Sequence, residues 1–235
     1  MTSGALPPFG GFEEADYRVF TIRTFAEAMA AIRARVTPKL EALGARLAPA
    51  LSAASGEPFF AHVARHARRT VNPPPETWVA FGRDPRKYKP FAYLGVVVGA
   101  RGVDVRLVLK DESRDKATLA DALVRERRRL AGWLREVPGL AWYASLPGAP
   151  REPGEEPVPV ASLGARFLDD LADALRTRKA QEVELGFGWP KGDRRLAGPG
   201  FERLALRSLV TLVPLYRLAT RPTARLAPAP RVAAG

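Results

Sequence analysis

The stretch HVARHARRTVNPPPETWVAF, residues 62–81, gathers residue types able to do polar chemistry. It holds both histidines of the chain, His62 and His66, with Arg65, Arg68 and Arg69. Asn72 stands before three consecutive prolines, and Trp78 follows in an apolar run. Side chains four residues apart share a face on a helix and on a strand alike, so the imidazoles are expected to point the same way. They are candidates for acid/base work or for two ligands of a metal. The metal reading fails on ligand count: there is no third histidine, no cysteine and no HExxH, so no metal is assigned. The arginines are the sharper feature, because guanidinium forks grip phosphate or carboxylate through two parallel hydrogen bonds. In an extended segment Arg68 continues the His62–His66 face while Arg65 and Arg69 point away. Pro73-Pro74-Pro75 keeps the chain beside Asn72 extended and rigid, which lowers the entropy cost of presenting these groups. The competing role for the arginines is to pair with acids of core helices and brace the loop.

A second basic cluster, RDPRKYKP (83–90), follows the Trp78 run and brings Arg86, Lys87, Tyr88 and Lys89 to one strand end. Tyr88 among cations offers a face for a base or ring, or serves as a turn residue in a solvated loop. RERRR (125–129) reads as the exposed face of a helix. GFGWPKG (186–192) breaks the GxGxxG pattern and is not a Walker loop, so no nucleotide site is placed there. With no GxSxG, no paired-carboxylate spacing and no cysteine nucleophile, the motifs name no reaction and no cofactor.

Elements must position these groups. Phe25, Met29, Ile32 and Val36 recur at helical spacing, with Thr24 and Glu27 at a capping-box distance. Thr37-Pro38 predicts a helix restart with Thr37 as its cap, followed by the stripe Leu40, Leu43, Leu47 and Leu51. TWVAF (77–81), FAYLGVVVG (91–99) and VDVRLVLKD (103–111) read as strands, the last two joined by a tight turn. In the third, Val103, Val105, Leu107 and Leu109 alternate with Asp104, Arg106, Val108 and Lys110, which predicts one buried face. Helices are predicted over 114–136, 162–178 and 199–213, with LVPLYRLA packing back, and strands over 142–146 and 182–189. Helices at both ends of a run of strands predict an α+β fold, one domain with a mostly antiparallel sheet. Its limits are set at 12–219, with a loose segment over 1–11, a Pro/Gly-rich loop at 147–160 and a disordered tail from 220 to 235.

The chain has 235 residues, a formal charge of +12 and no cysteine. This excludes disulfides and thiol chemistry. No apolar run is long enough for a membrane span and no signal-peptide pattern opens the chain, so no membrane partner is expected and the cytoplasm is the expected location. The basic charge favours polyanions. Only 7 of the 37 basic residues are lysine, a bias that a GC-rich coding sequence would also produce.

The 62–81 segment also resembles the YktB-like proteins of bacteria, uncharacterised cytoplasmic proteins whose pattern there runs HVAxHARRTVNPPxxTWVAF. The likeness continues through residues 9–44, RDPRKYKP and LVPLYRLA, over about 9–219 in all. It implies an α+β domain and carries no reaction or catalytic residue with it. Where the family usually has a PHF-like element, this chain has Pro90-Phe91-Ala92, so the histidine that could complete a ligand set is missing.

The combined reading is a basic site of His62, His66, Arg68, Arg69, Asn72, Trp78, Arg86, Lys87, Tyr88 and Lys89 for an anionic small molecule or nucleic acid. The alternatives are an enzyme using a histidine as general acid/base beside an arginine clamp, or a structural motif with function in a protein partner.

Overall fold

The computed structural model describes residues 9–67, 69–149 and 155–229. Helices α1 (Glu14–Arg18), α2 (Phe25–Ala31) and α3 (Thr37–Ser55) lead into strands β1 (Phe60–Val63), β2 (Glu76–Gly82), β3 (Tyr93–Gly99) and β4 (Gly102–Leu109). Then come α4 (Lys116–Arg125), α5 (Arg127–Glu136), β5 (Ala141–Trp142), β6 (Val158–Pro159), α6 (Phe167–Thr177), β7 (Val183–Pro190) and α7 (Gly200–Thr220). The strands form one sheet in the order β1-β2-β3-β4-β7-β5-β6, with every pairing antiparallel. This is the α+β architecture expected from the sequence.

The alternation along the strands decides the core. Val79 and Phe81, Leu94, Val96 and Val98, and Val103, Val105, Leu107 and Leu109 face the helices and are buried with the Leu40–Leu51 stripe of α3 and with Leu209, Leu212 and Tyr216 of α7. Each such side chain contributes about 1.5–3 kcal/mol by leaving water. Gly102, at φ 147, ends the β3–β4 turn where a Cβ would lie 2.1 Å from Trp189 O, so only glycine fits.

Three expectations are corrected. The helix does not restart at Thr37: Ile32–Val36 forms a π-helical turn, with Thr37 N–H bonding Ile32 O, and runs on into α3 with Pro38 in the first turn. A proline ring clashes with the carbonyl four residues back, and the wider turn makes room for it. At the other end α7 runs unbroken through Pro214 to Thr220. The single helix over 114–136 divides at Glu126, whose φ −101 and ψ 9 leave the helical range.

That buried Glu126 anchors the C-terminal residues. Arg225 Nη1 donates to Glu126 Oε1 at 2.8 Å, Arg125 bonds Ala224 O at 3.0 Å, and Leu226 is buried in the core. Residues 221–229 therefore pack against the body where a disordered tail is expected from composition, because one carboxylate and one leucine outweigh a Pro/Ala-rich context; 230–235 lie outside the described residues. At the N-terminus Phe9 packs edge-on to Phe12 with centroids 5.4 Å apart, and Phe12 likewise to Phe201 at 5.5 Å, so residues 9–11 are held as well. Truncation after Thr220 is expected to lower stability by about 2–3 kcal/mol, the burial of Leu226 and the Glu126 contact together. Urea unfolding checks this, and an unshifted midpoint would contradict it.

The sheet face away from the helices carries a closed charged cluster beside a small apolar one of Ala80, Tyr93 and Val108. On β4, Arg106 lies opposite Gly95 of β3 and Gly186 of β7. Both neighbours lack side chains, which leaves room for the guanidinium, whose carbon lies 4.2 Å from the Tyr143 ring centroid. It bonds Glu184 Oε2 at 2.8 Å and pairs with Glu76 and Asp104; Lys110 pairs with Glu182 and Glu184. Arg106 is only 5% exposed, so positions expected to face solvent are buried by mutual pairing. Gly186 of the GFGWPKG segment is explained here: a Cβ would sit 1.9 Å from Val105 O, so the glycine serves strand approach.

Candidate functional site

Strand β1 is the edge of the sheet, and an open cleft of about 1300 Å³ wraps around it. One wall comes from α2, the π turn and α3, through Met29, Ile32, Arg33, Thr37 and Glu41. The other comes from the 84–90 loop together with Trp78 of β2, which lies on the sheet face away from the helices. Ala61 and Val63 line it from one face of β1 and His62 from the other.

The two basic segments meet here because β1 pairs with β2 in the register His62↔Ala80. His62 Nε2 donates to Asp84 O at 2.9 Å; a carbonyl only accepts, so this bond sets the tautomer. The Asp84 carboxylate in turn accepts from Arg86 N at 2.7 Å and Lys87 N at 3.1 Å. Those backbone donors, Arg86 first, hold its carboxyl below the usual range. The resulting turn projects Arg86, Lys87 and Lys89 outward, all exposed. Asp115 pins both ends of the loop, accepting from Arg83 Nη2 at 2.9 Å and Ala92 N at 2.7 Å.

The co-facing expected from the four-residue spacing of the histidines does not hold as stated. β1 ends at Val63, and His66 adopts φ 50, the one positive φ of a non-glycine among the described residues. Such a conformation costs roughly 1–3 kcal/mol and is maintained by its surroundings. His66 Nε2 lies 3.0 Å from Thr77 Oγ1, and its ring packs edge-on to Trp78 at 5.3 Å. Burial, then the charges of Arg69 and Lys89, push its pKa down to about 4, so the ring is neutral near pH 7. Both imidazoles still line the one cleft, each on its own partner.

The floor is aromatic. Trp78 Nε1 donates to Tyr88 Oη at 3.1 Å, and Tyr88 lies 5.5 Å from the His62 ring and 4.9 Å from Tyr93. Burial raises the Tyr88 phenol, which stays protonated.

His62, His66, Arg69, Trp78, Arg86, Lys87, Tyr88 and Lys89 thus converge. Asn72 is exposed and does not line the cleft, and Arg68 lies outside the described residues. Arg65, expected to point away, lines the cleft with His66. Arg33 and Glu41 are absent from the sequence reading because helical periodicity marks them only as exposed; no local signal ties them to a loop 50 residues on.

The family described as "Domain of unknown function (DUF1054)" matches residues 12–216. The chain belongs to this family. A UPF0637 protein of Bacillus cytotoxicus is 31% identical over 212 residues, covering 89% of this chain and 98% of that protein. One of Shouchella clausii is 31% identical over 212 residues, with 90% and 95% covered. One of Bacillus thuringiensis is 53% identical over 78 residues, 33% of this chain and 38% of that relative. The likeness to the YktB-like proteins read from residues 62–81 is thus one of family membership. The DUF1054 chain has no helix among its described residues long and apolar enough to cross a membrane.

Proposed function

We propose that the cleft binds a multiply charged anion. One observation carries this reading. Arg33, Arg65, Arg69, Arg86, Lys87 and Lys89 line a single cleft, and among the described residues none of them is ion-paired. Glu41 and Glu112 oppose them in the lining, and the Asp84 carboxylate sits in the turn with Arg86 and Lys87, so the cations outnumber the acids by about two to one. Elsewhere arginines such as Arg83, Arg217 and Arg225 meet carboxylates at 2.8–2.9 Å. Six like charges around one concavity raise its potential and draw in counter-charge. Two backbone irregularities, the π turn and the His66 conformation, flank the same cleft, and irregularities of both kinds cluster at functional sites.

His66 supplies the test. Its folded pKa lies below the ordinary histidine value of about 6.5, so as pH falls between the two the unfolded chain gains a proton that the folded one refuses, and stability drops. An anion beside Arg69 and Lys89 cancels the repulsion that lowers this pKa. The imidazole carbon-bound protons, followed by NMR and assigned with His62→Gln, are expected to titrate near 4 in the free protein and at higher pH with saturating tripolyphosphate. A midpoint that tripolyphosphate leaves in place would overturn the reading.

A further inference from the structure

Resting on the anion-binding reading, we infer that the ligand is single-stranded nucleic acid, its phosphates on the cleft rim and its bases on the Trp78–Tyr88 floor. Size is the first ground. Clefts for small ligands span roughly 300–1000 Å³, and this one, at about 1300 Å³ and open, suits an extended chain. Charge placement is the second. The cations come from three separate segments: the π turn (Arg33), the loop after β1 (Arg65, Arg69) and the loop after β2 (Arg86, Lys87, Lys89). A single phosphate can contact only a few of these cations at once, whereas a backbone with a charge at every nucleotide engages several in turn.

The floor decides between polyanions. Trp78 and Tyr88 are half-buried, share the cleft lining with exposed cations and are tied together by the indole–phenol hydrogen bond. That bond uses the indole N–H, and the rings already meet His66 and His62 at 5.3 and 5.5 Å, so a base would stack on the exposed part of this aromatic–imidazole platform, and stacking accepts any base. In a duplex the bases are paired and stacked on one another and cannot descend to such a floor, so only an unpaired strand satisfies both rim and floor. An acidic peptide would satisfy the rim and leave the aromatic floor unused.

Trp78 also provides the reporter. The other tryptophans, Trp133, Trp142 and Trp189, are buried, so quenching by a stacked base reads Trp78. The full chain is titrated with a 12-nucleotide oligouridine, the matching duplex, uridine monophosphate and a poly-glutamate of equal charge, by fluorescence and anisotropy across a salt series. The oligouridine is expected to bind at least tenfold more tightly than the other three and to quench Trp78. Its log affinity against log salt should fall with a slope of up to about −4, from roughly 0.7 per phosphate contact and six cations. Arg86→Ala/Lys87→Ala/Lys89→Ala should reduce that slope by about 2. Trp78→Phe should abolish the quench and keep the slope. Uridine monophosphate binding as tightly as the 12-mer would overturn the strand inference and leave anion binding standing. Equal binding of duplex or poly-glutamate would overturn it as well. If none of the four binds and tripolyphosphate fails to move His66, both readings fall.

Discussion

Replacing Arg106 with methionine is expected to destabilise the protein by roughly 3–5 kcal/mol, the cost of breaking a buried ion pair from one side. The guanidinium is 5% exposed, and its removal leaves Glu184 paired only with Lys110 and leaves Glu76 and Asp104 without their cation. Burial alone would raise the Glu184 carboxyl, but Lys110 and Arg106 outweigh it and hold it below the usual carboxylate range. A carboxyl lowered on folding contributes stability above its unfolded pKa of about 4.3, and this is lost as pH falls through the folded value. Glu76, raised by burial despite Arg106, acts in the opposite sense. In Arg106→Met the lowering of Glu184 weakens, so the deficit against wild type should be largest near pH 7 and shrink below about pH 4. Urea unfolding at both pH values checks this. The double variant Arg106→Met/Glu184→Leu should recover part of the loss, since an apolar pair of similar volume can replace a buried ion pair. A deficit independent of pH would show that the loss is one of packing.

Asp115→Ala is expected to impair the cleft without touching it. Asp115 does not line the cavity; it holds Arg83 and the Ala92 N–H, the two ends of the loop that carries Arg86, Lys87, Tyr88 and Lys89. Arg83 also lies 4.3 Å over the Phe91 ring, so one carboxylate organises the whole turn. Its loss leaves a buried N–H unpaired and frees a guanidinium, for about 2–4 kcal/mol of stability. The loop should then sample more conformations, and oligouridine affinity should fall at least tenfold at a temperature where the variant is fully folded by circular dichroism. Asp115→Asn, which keeps an acceptor for Ala92 N–H, should lose less of both. Full affinity in folded Asp115→Ala would show that the loop holds its shape without the anchor.

Much of this protein is legible in its sequence. The apolar alternation of 103–109 and the leucine stripe of α3 each specify a buried face, and the strand run between helices specifies an antiparallel sheet. The two cation clusters announce themselves by composition. Periodicity says which face is apolar, however, and is silent on whether the other face meets water. Arg106 alternates with valines as a solvent-facing residue would, and its partner Glu184 stands 78 residues away, so only the β4–β7 pairing reveals a closed charged layer. The Pro/Ala-rich tail fails for the same reason: its anchors are Glu126 and a core site on distant helices.

The chemistry at residues 62–69 divides the same way. Residue type alone determines that imidazoles and guanidiniums are available. Tertiary structure decides their use, by bending the chain at His66, seating His62 on the Asp84 carbonyl and bringing Arg33 across from the helices. A cleft is a property of surfaces meeting, and the distances that make those cations neighbours are set by strand pairing and helix packing, which no local stretch of sequence encodes.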